Sequence, residues 1–262
     1  MRIIGPDLWG DPEDRPGMHK LLKTVVDMGI NLIDTSDVYG PHVSETLIAE
    51  ALHPYPANVL ITTKGGRVLE RPGQWGTNSR PERLTWCCEQ SLRRLKMDCI
   101  DLYQLHAVDP EVPIEESIGA LVDLRAAGKI RHIGLSNVTE EEVSRALTVT
   151  PIASVQNQYN VLHRDSEPVL QTCIAHGIAF LPWQPVAKAD FGNAHRVIAK
   201  IAADHDASVV QIALSWLLHH AEVIVPIPGT SDEAHLADNL AAEQICLTAG
   251  QLSELDALAP PQ

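Results

Sequence analysis

Short, almost continuously apolar runs alternate with longer amphipathic stretches along most of the chain. The runs occupy residues 30–34, 59–64, 100–105, 130–136, 152–156, 178–182 and 223–226. Each is nearly all hydrophobic instead of alternating with polar residues, which predicts parallel strands covered on both faces. The amphipathic stretches between them, residues 17–27, 44–52, 81–95, 114–127, 140–147, 166–176 and 208–220, read as helices. Pro81 with Glu82 and Pro113 with Glu115 mark helix starts, with proline in the first turn and early acids. Gly29, Gly128 and Gly177 each follow a helical run directly, where a left-handed residue ends a helix most easily.

Strict strand–helix alternation over seven or eight repeats leaves two architectures, a closed barrel and an open doubly wound sheet. No two glycines are spaced G-x-G, so the dinucleotide fingerprint GxGxxG is absent, and no GKS or GKT phosphate loop occurs. The expected fold class is therefore α/β, a (β/α)8 TIM barrel. No linker, low-complexity tract or charge block divides it, so one barrel domain spanning residues 1–262 is expected. A complete barrel needs a strand before the first helix, and only Arg2 to Ile4 offers one. The first strand is expected to be shortened or missing.

Composition narrows the function more than the fold. With 45% hydrophobic residues the chain can bury a sizeable core, and its 34 acidic residues outweigh 20 basic ones for a formal charge of −14. That balance disfavours nucleic acid or an anionic membrane as partner, since both select clustered Lys and Arg. The five cysteines show no CxxC pair and no ligand spacing with histidine, as suits reduced thiols. The opening MRIIGPDLWGDPEDRPG does not read as a signal peptide, and no run of about 18 apolar residues is present. A soluble, cytoplasmic protein is expected.

In a parallel barrel, chemistry sits at the C-terminal ends of the strands. There the sequence places Asp34 in the run Asp34-Thr35-Ser36-Asp37-Val38-Tyr39-Gly40, Lys64 after Thr62-Thr63, and His106 after Gln104-Leu105. Singly, these residues have ordinary readings: a capping aspartate, a packing tyrosine, a lysine reaching solvent, a structural histidine. Together on successive strand ends they suit carbonyl reduction, in which hydride addition to carbon builds negative charge on oxygen. Tyr39 would protonate that oxygen. A free tyrosine has a pKa of about 10, and a nearby cation lowers it by roughly 1–3 units. Lys64 would supply the cation, Asp34 would hold the ammonium, and His106 would orient the oxygen by a hydrogen bond.

At these residues the chain resembles the aldo-keto reductase family. The segments GINLIDTSDVYGPHVSE, VLITTKGG, DLYQLHAVD, GKIRHIGLSNVT, ASVQNQYNVLHR and VPIPGTSDEAHLADNLAA appear in family order over nearly the whole chain. The resemblance implies the barrel, a nicotinamide cofactor, and a catalytic tetrad of Asp34, Tyr39, Lys64 and His106. It also implies that Ser136, Asn137 and Gln156 bind the carboxamide and that Trp183 stacks on the nicotinamide. Gly229, Thr230 and Ser231 would form the phosphate loop before a short helix, where backbone N–H groups favour an anion, and Asp238 and Asn239 would contact adenine.

The sequence also departs from the family's usual pattern. Many members carry basic residues where this chain has Gly229 and His235, so a 2′-phosphate would rely on Thr230, Ser231 and His235. NADPH is expected as cofactor, with NADH as the alternative. The chain is similar to a bacterial subgroup resembling pyridoxal reductases, which makes pyridoxal a candidate among small carbonyl substrates. Trp9, His42, Arg67 and Trp75 are the candidate pocket residues. Two other readings are a cofactor-sensing regulatory subunit of the same fold and a metal-dependent barrel hydrolase. The intact tetrad speaks against the first. The second is suggested only by the twelve histidines, which lack ligand spacing, and no metal is expected.

Overall fold

A continuously apolar strand can be buried on both faces only if other elements cover it, and the chain supplies helices for that purpose. The computed structural model describes residues 3–259, and the chain divides into two units, Met1–Ala153 and Ser154–Gln262.

In the first unit, α1 (Arg15–Asp27) begins at Asp14, whose carboxylate accepts from the Gly17 N–H at 2.9 Å, the N-cap role. Then come β1 (Leu32–Asp34), α2 (Val43–Leu52) and β2 (Leu60–Gly65), followed by the antiparallel pair β3 (Arg67–Arg71) and β4 (Gln74–Thr77). The unit continues through α3 (Pro81–Leu95), β5 (Ile100–Leu105), α4 (Ile114–Ala126), β6 (Ile130–Ser136) and α5 (Glu140–Val149). Strands β1, β2, β5 and β6 pair in that order, all parallel. The register sets Asp34 beside Thr62, Lys64 beside Gln104 and Leu105 beside Leu135, so the polar strand ends gather at one edge.

Ile61, Tyr103 and Leu135 from the strands are fully buried, as are Leu47, Leu84, Leu121 and Val143 from the helices. Each such side chain is worth about 1.5–3 kcal/mol on burial. One polar cluster ties three elements together. Glu45 of α2, also fully buried, accepts from Thr63 Oγ1 of β2 at 2.6 Å and from Arg94 Nε of α3 at 2.6 Å. Both bonds offset the desolvation of that carboxylate.

The second unit contains β7 (Ser154–Gln156), α6 (Glu167–His176), β8 (Ala179–Phe180), α7 (His195–Asp204), α8 (Val209–His220), α9 (Glu233–Ala241) and α10 (Ala249–Asp256). Helix α6 ends at Gly177, whose φ of 64° is the left-handed geometry expected there. Ser208 and Gln211 form a capping box at the start of α8. Trp216 of α8 is fully buried and donates from Nε1 to Asp256 of α10 at 2.9 Å, with the Arg164 guanidinium 4.6 Å from its ring centre.

The expected strands shorten in this unit. Residues 152–156 and 178–182 contract to β7 and β8, which pair parallel through Val155 and Phe180. Residues 223–226 form a single bridge, Ile224 to Phe180, where the run is short and Pro226 has no N–H to extend a ladder. At the N-terminal side, Ile3 and Ile4 form no strand, and Arg2 lies outside the described residues. The bridge in this region is instead Trp9 to Gly40, with Gly10 N–H donating to the Gly40 carbonyl at 2.7 Å. The hairpin of β3 and β4 was unexpected, because Arg67, Glu70, Arg71 and Gln74 lack an apolar pattern. Helix α7 was unexpected too, although Ile198, Ile201 and Ala202 line up on one buried stripe. Among the described residues no helix is long and apolar enough to cross a membrane.

Candidate active site

Asp34 closes β1, Lys64 is the penultimate residue of β2, and His106 directly follows β5. Parallel pairing brings these strand ends together, and the turn after β1 returns Tyr39 to them. Lys64 is fully buried and donates from Nζ to Asp34 Oδ1 at 2.7 Å, to Asp34 Oδ2 at 2.6 Å and to the Thr35 carbonyl at 2.8 Å. All three ammonium protons thus have an acceptor nearby. Burial pushes the Lys64 pKa down, but the Asp34 charge, Tyr39 and the Asp34 hydrogen bonds together hold it above the ordinary lysine value. Lys64 Nζ also lies 5.5 Å from the centre of the Tyr39 ring, and the Tyr39 and His106 rings meet edge to face at 6.0 Å.

The titration of Tyr39 differs from the sequence expectation. Burial raises the phenol pKa and outweighs the opposing pull of Lys64, so the net shift is upward from 10. The hydroxyl is therefore kept protonated, and the nearby Lys64 ammonium does not ionise it. His106 is 6% exposed, and burial, then Lys64 and Arg67, lower its pKa well below 6.5, which keeps the imidazole neutral. Its Nδ1 lies 3.0 Å from Ser36 Oγ, and its backbone N–H donates to the Gly65 carbonyl at 2.9 Å. When the Ser36 hydroxyl donates to Nδ1, the ring proton is on Nε2.

Three residues around this centre escaped the sequence reading. Gln104 donates from Nε2 to Thr62 Oγ1 at 2.9 Å and to Asp34 Oδ1 at 3.3 Å. Ser36 contacts His106, and its hydroxyl also lies 3.3 Å from Asp37 Oδ1. Asp37 is 2% exposed, and its carboxyl is pushed up to about 7, by burial first and the Glu45 charge second. Alternation along the strands was the usable signal for Gln104. It stands two residues before His106, and Thr62 stands two before Lys64, on the same strand faces.

The remaining first-unit candidates are placed as follows. Asn137 adopts φ 56° and donates from Nδ2 to the His106 carbonyl at 2.9 Å and to Ser136 Oγ at 3.0 Å, so the end of β6 is tied to His106. Trp9 bridges Gly40, beside Tyr39. His42 precedes α2 at φ 71°, and both its backbone N–H and its Nδ1 lie against the Asp37 carbonyl, at 2.9 and 2.8 Å. Arg67 opens β3 with its guanidinium 5.3 Å from the Trp75 ring centre.

In the second unit, Gln156 is buried at the end of β7. The backbone of Trp183 pairs with the 157–159 segment, its N–H donating to the Asn157 carbonyl at 3.0 Å. Gly229, Thr230 and Ser231 lead into α9, but the helix start is already capped. The Asp232 carboxylate accepts from the Ala234 N–H at 2.8 Å and the His235 N–H at 3.0 Å, and those bonds lower its pKa. This modifies the expectation of free N–H donors for an anion there, since an acid of the chain itself takes two of them. Thr230 Oγ1 accepts from the Asp232 N–H at 3.0 Å, while Ser231 and His235 are exposed. Asp238 accepts from Ser208 Oγ at 2.8 Å, a tie to the start of α8, and Asn239 is half-buried in α9.

A family-wide profile, that of the Aldo/keto reductase family, matches residues 6–260. The chain is 36% identical over 264 residues to pyridoxine 4-dehydrogenase of Escherichia coli, covering 98% of this chain and 92% of that protein. It is also similar to a thermostable aldo-keto reductase solved with the inhibitor epalrestat, at TM-score 0.88 and 31% identity over 96% of this chain and 93% of that one. A further likeness is to an aldo-keto reductase from Klebsiella pneumoniae in complex with NADPH, at TM-score 0.83 and 27% identity, covering 100% and 89% of the two chains. With its α/β strand–helix order and the full-length match, this chain belongs to the aldo/keto reductase family, oxidoreductases built on the TIM-barrel fold.

Proposed function

We propose that the protein reduces an aldehyde or ketone to an alcohol with NADPH, and that Tyr39 is the general acid. The observation that carries this reading is the buried Lys64, held by Asp34 on two bonds with its Nζ 5.5 Å from the Tyr39 ring centre. When bound, the nicotinamide supplies the hydride. The chain does the rest. Tyr39, kept protonated by burial, gives its proton to the carbonyl oxygen, and the Lys64 ammonium stabilises the phenolate left behind. Asp34 keeps that ammonium charged in a buried place. Neutral His106 presents Nε2–H to the substrate oxygen while Ser36 occupies Nδ1.

The donor set suits a nicotinamide cofactor. In the first unit Ser136 and Asn137 carry a hydroxyl and an amide, and in the second Gln156 carries an amide, groups that match a carboxamide. Trp183 offers an aromatic face. Thr230, Ser231 and His235 are the groups left for a phosphate beside the Asp232 cap, with Gly229 preceding them in the loop and Asp238 and Asn239 assigned to adenine. NADPH is preferred to NADH in this reading because the solved relative from Klebsiella pneumoniae holds NADPH. The likeness to pyridoxine 4-dehydrogenase makes pyridoxal the first aldehyde to try.

The test is Tyr39→Phe, assayed with NADPH against pyridoxal and a panel of simple aldehydes. The expected result is a loss in kcat of about 10²–10⁴-fold, the usual weight of general acid catalysis, with NADPH still quenching tryptophan fluorescence. A variant as active as wild type would remove Tyr39 from the chemistry. A folded wild type that binds neither NADPH nor NADH would end the reductase reading.

A further inference from the structure

Arg67 stands three residues after Lys64, at the start of β3. Its guanidinium lies 5.3 Å from the Trp75 ring centre, and its Nε is buried without an acceptor. Among the described residues no carboxylate, carbonyl or hydroxyl accepts from this side chain. Arg15 pairs with Glu50, Arg94 with Glu45 and Arg145 with Glu115, whereas Arg83, 4.4 Å from the Trp86 ring, shares with Arg67 a buried Nε without an acceptor; Arg67 is set apart by its place three residues after Lys64. A buried N–H without an acceptor is destabilising, so Arg67 Nε is a donor that an acceptor would satisfy.

The surroundings say what such a group can do. The Trp75 ring holds the guanidinium by a cation–π contact, and its Nε–H with a neighbouring Nη–H can meet a planar anion through two parallel bonds. Trp75 is 38% exposed, so the pair is reachable from solvent. Arg67 is also within electrostatic reach of the reacting groups. After burial and Lys64 it is the next influence lowering His106, and it opposes the burial that raises Tyr39.

We propose that Arg67, held by Trp75, is an anion-recognition residue that selects carbonyl substrates carrying a carboxylate. The reacting carbonyl would lie at Tyr39 and His106 and the carboxylate on the guanidinium. This rests on the carbonyl-reductase reading of the tetrad, and it adds the substrate class.

The test compares 4-carboxybenzaldehyde with its methyl ester, methyl 4-formylbenzoate, as substrates for wild type, Arg67→Met and Arg67→Lys. The ratio of kcat/KM for acid over ester is expected to fall at least tenfold in Arg67→Met, mainly through KM, and by less in Arg67→Lys, which keeps the charge but loses the fork. Calorimetric titration with benzoate supplies a readout that needs no turnover: wild type binds, and Arg67→Met binds at least tenfold more weakly. An unchanged ratio, or benzoate affinity indifferent to Arg67, overturns the proposal. So does Arg67→Met that weakens NADPH binding and leaves the ratio alone, because the guanidinium would then serve the cofactor. Arg67-dependent benzoate binding without turnover of either aldehyde would support the anion site and count against the reductase reading alone.

Discussion

At the scale of single residues, burial decides more than charge sign. Asp37 is the clearest case, its carboxyl raised from 3.8 to about 7 by desolvation and the nearby Glu45, with Cys87, Arg94 and Ser36 pulling the other way. Because the folded value exceeds the unfolded one, Asp37's contribution to stability is fully present below about pH 4. It is lost as pH rises through about 7. Asp37→Asn removes this titration, so its stability relative to wild type should improve between pH 5 and pH 8. An improvement of about 2.6 kcal/mol is expected, each pKa unit being worth about 1.4 kcal/mol. Urea denaturation at the two pH values checks it, and a difference that does not change with pH would contradict the buried, titrating carboxyl. Asp37 was visible in the sequence as part of the Asp34–Gly40 turn, but nothing local distinguished it from a solvated acid. Asp34, Lys64 and His106 were legible as candidates because a parallel strand announces its own C-terminal end, and Tyr39 because it lies in the turn that follows Asp34. Ser36 and Gln104 were not singled out, since their partners lie 70 residues away in the chain.

At the scale of elements, the contact between β2 and β5 is set by Gly65. A Cβ at this position would fall on the Tyr103 hydroxyl and 3.0 Å from Cys87 Cβ. The Tyr103 hydroxyl is itself buried without a hydrogen-bond partner. Gly65→Ala should therefore destabilise the protein by about 1–3 kcal/mol, the usual cost of overpacking. It should also disturb Lys64 and the bond from His106 N–H to the Gly65 carbonyl. Adding Tyr103→Phe removes the clashing oxygen and should restore a large part of the loss, a non-additivity measurable by a double-mutant cycle. Additive effects would mean that the strands part for another reason. The hairpin of β3 and β4 belongs to this scale as well. Its polar residues hid it from the hydrophobic pattern, and its pairing through Val68–Gly76 and Leu69–Trp75 is tertiary information.

At the scale of the whole molecule, we propose that residues 1–262 unfold as one domain. Among its described residues the second unit has two parallel strands of three and two residues, too little sheet to be stable alone, and the family match runs from residue 6 to 260. Scanning calorimetry should give one transition with equal calorimetric and van't Hoff enthalpies. Two separated transitions would divide the chain at residue 153.

By itself the sequence determined the α/β order, the strand ends that carry Asp34, Lys64 and His106, and the family to which they belong. These depend on local periodicity and on short segments that keep their meaning wherever they are read. Only the tertiary structure decided that the Tyr39 pKa rises despite Lys64, that Asp232 caps the start of α9, and that Arg67 rests on Trp75 without a carboxylate. Each depends on desolvation and on which distant groups arrive within a few ångströms, and neither quantity is written in the order of residues along the chain.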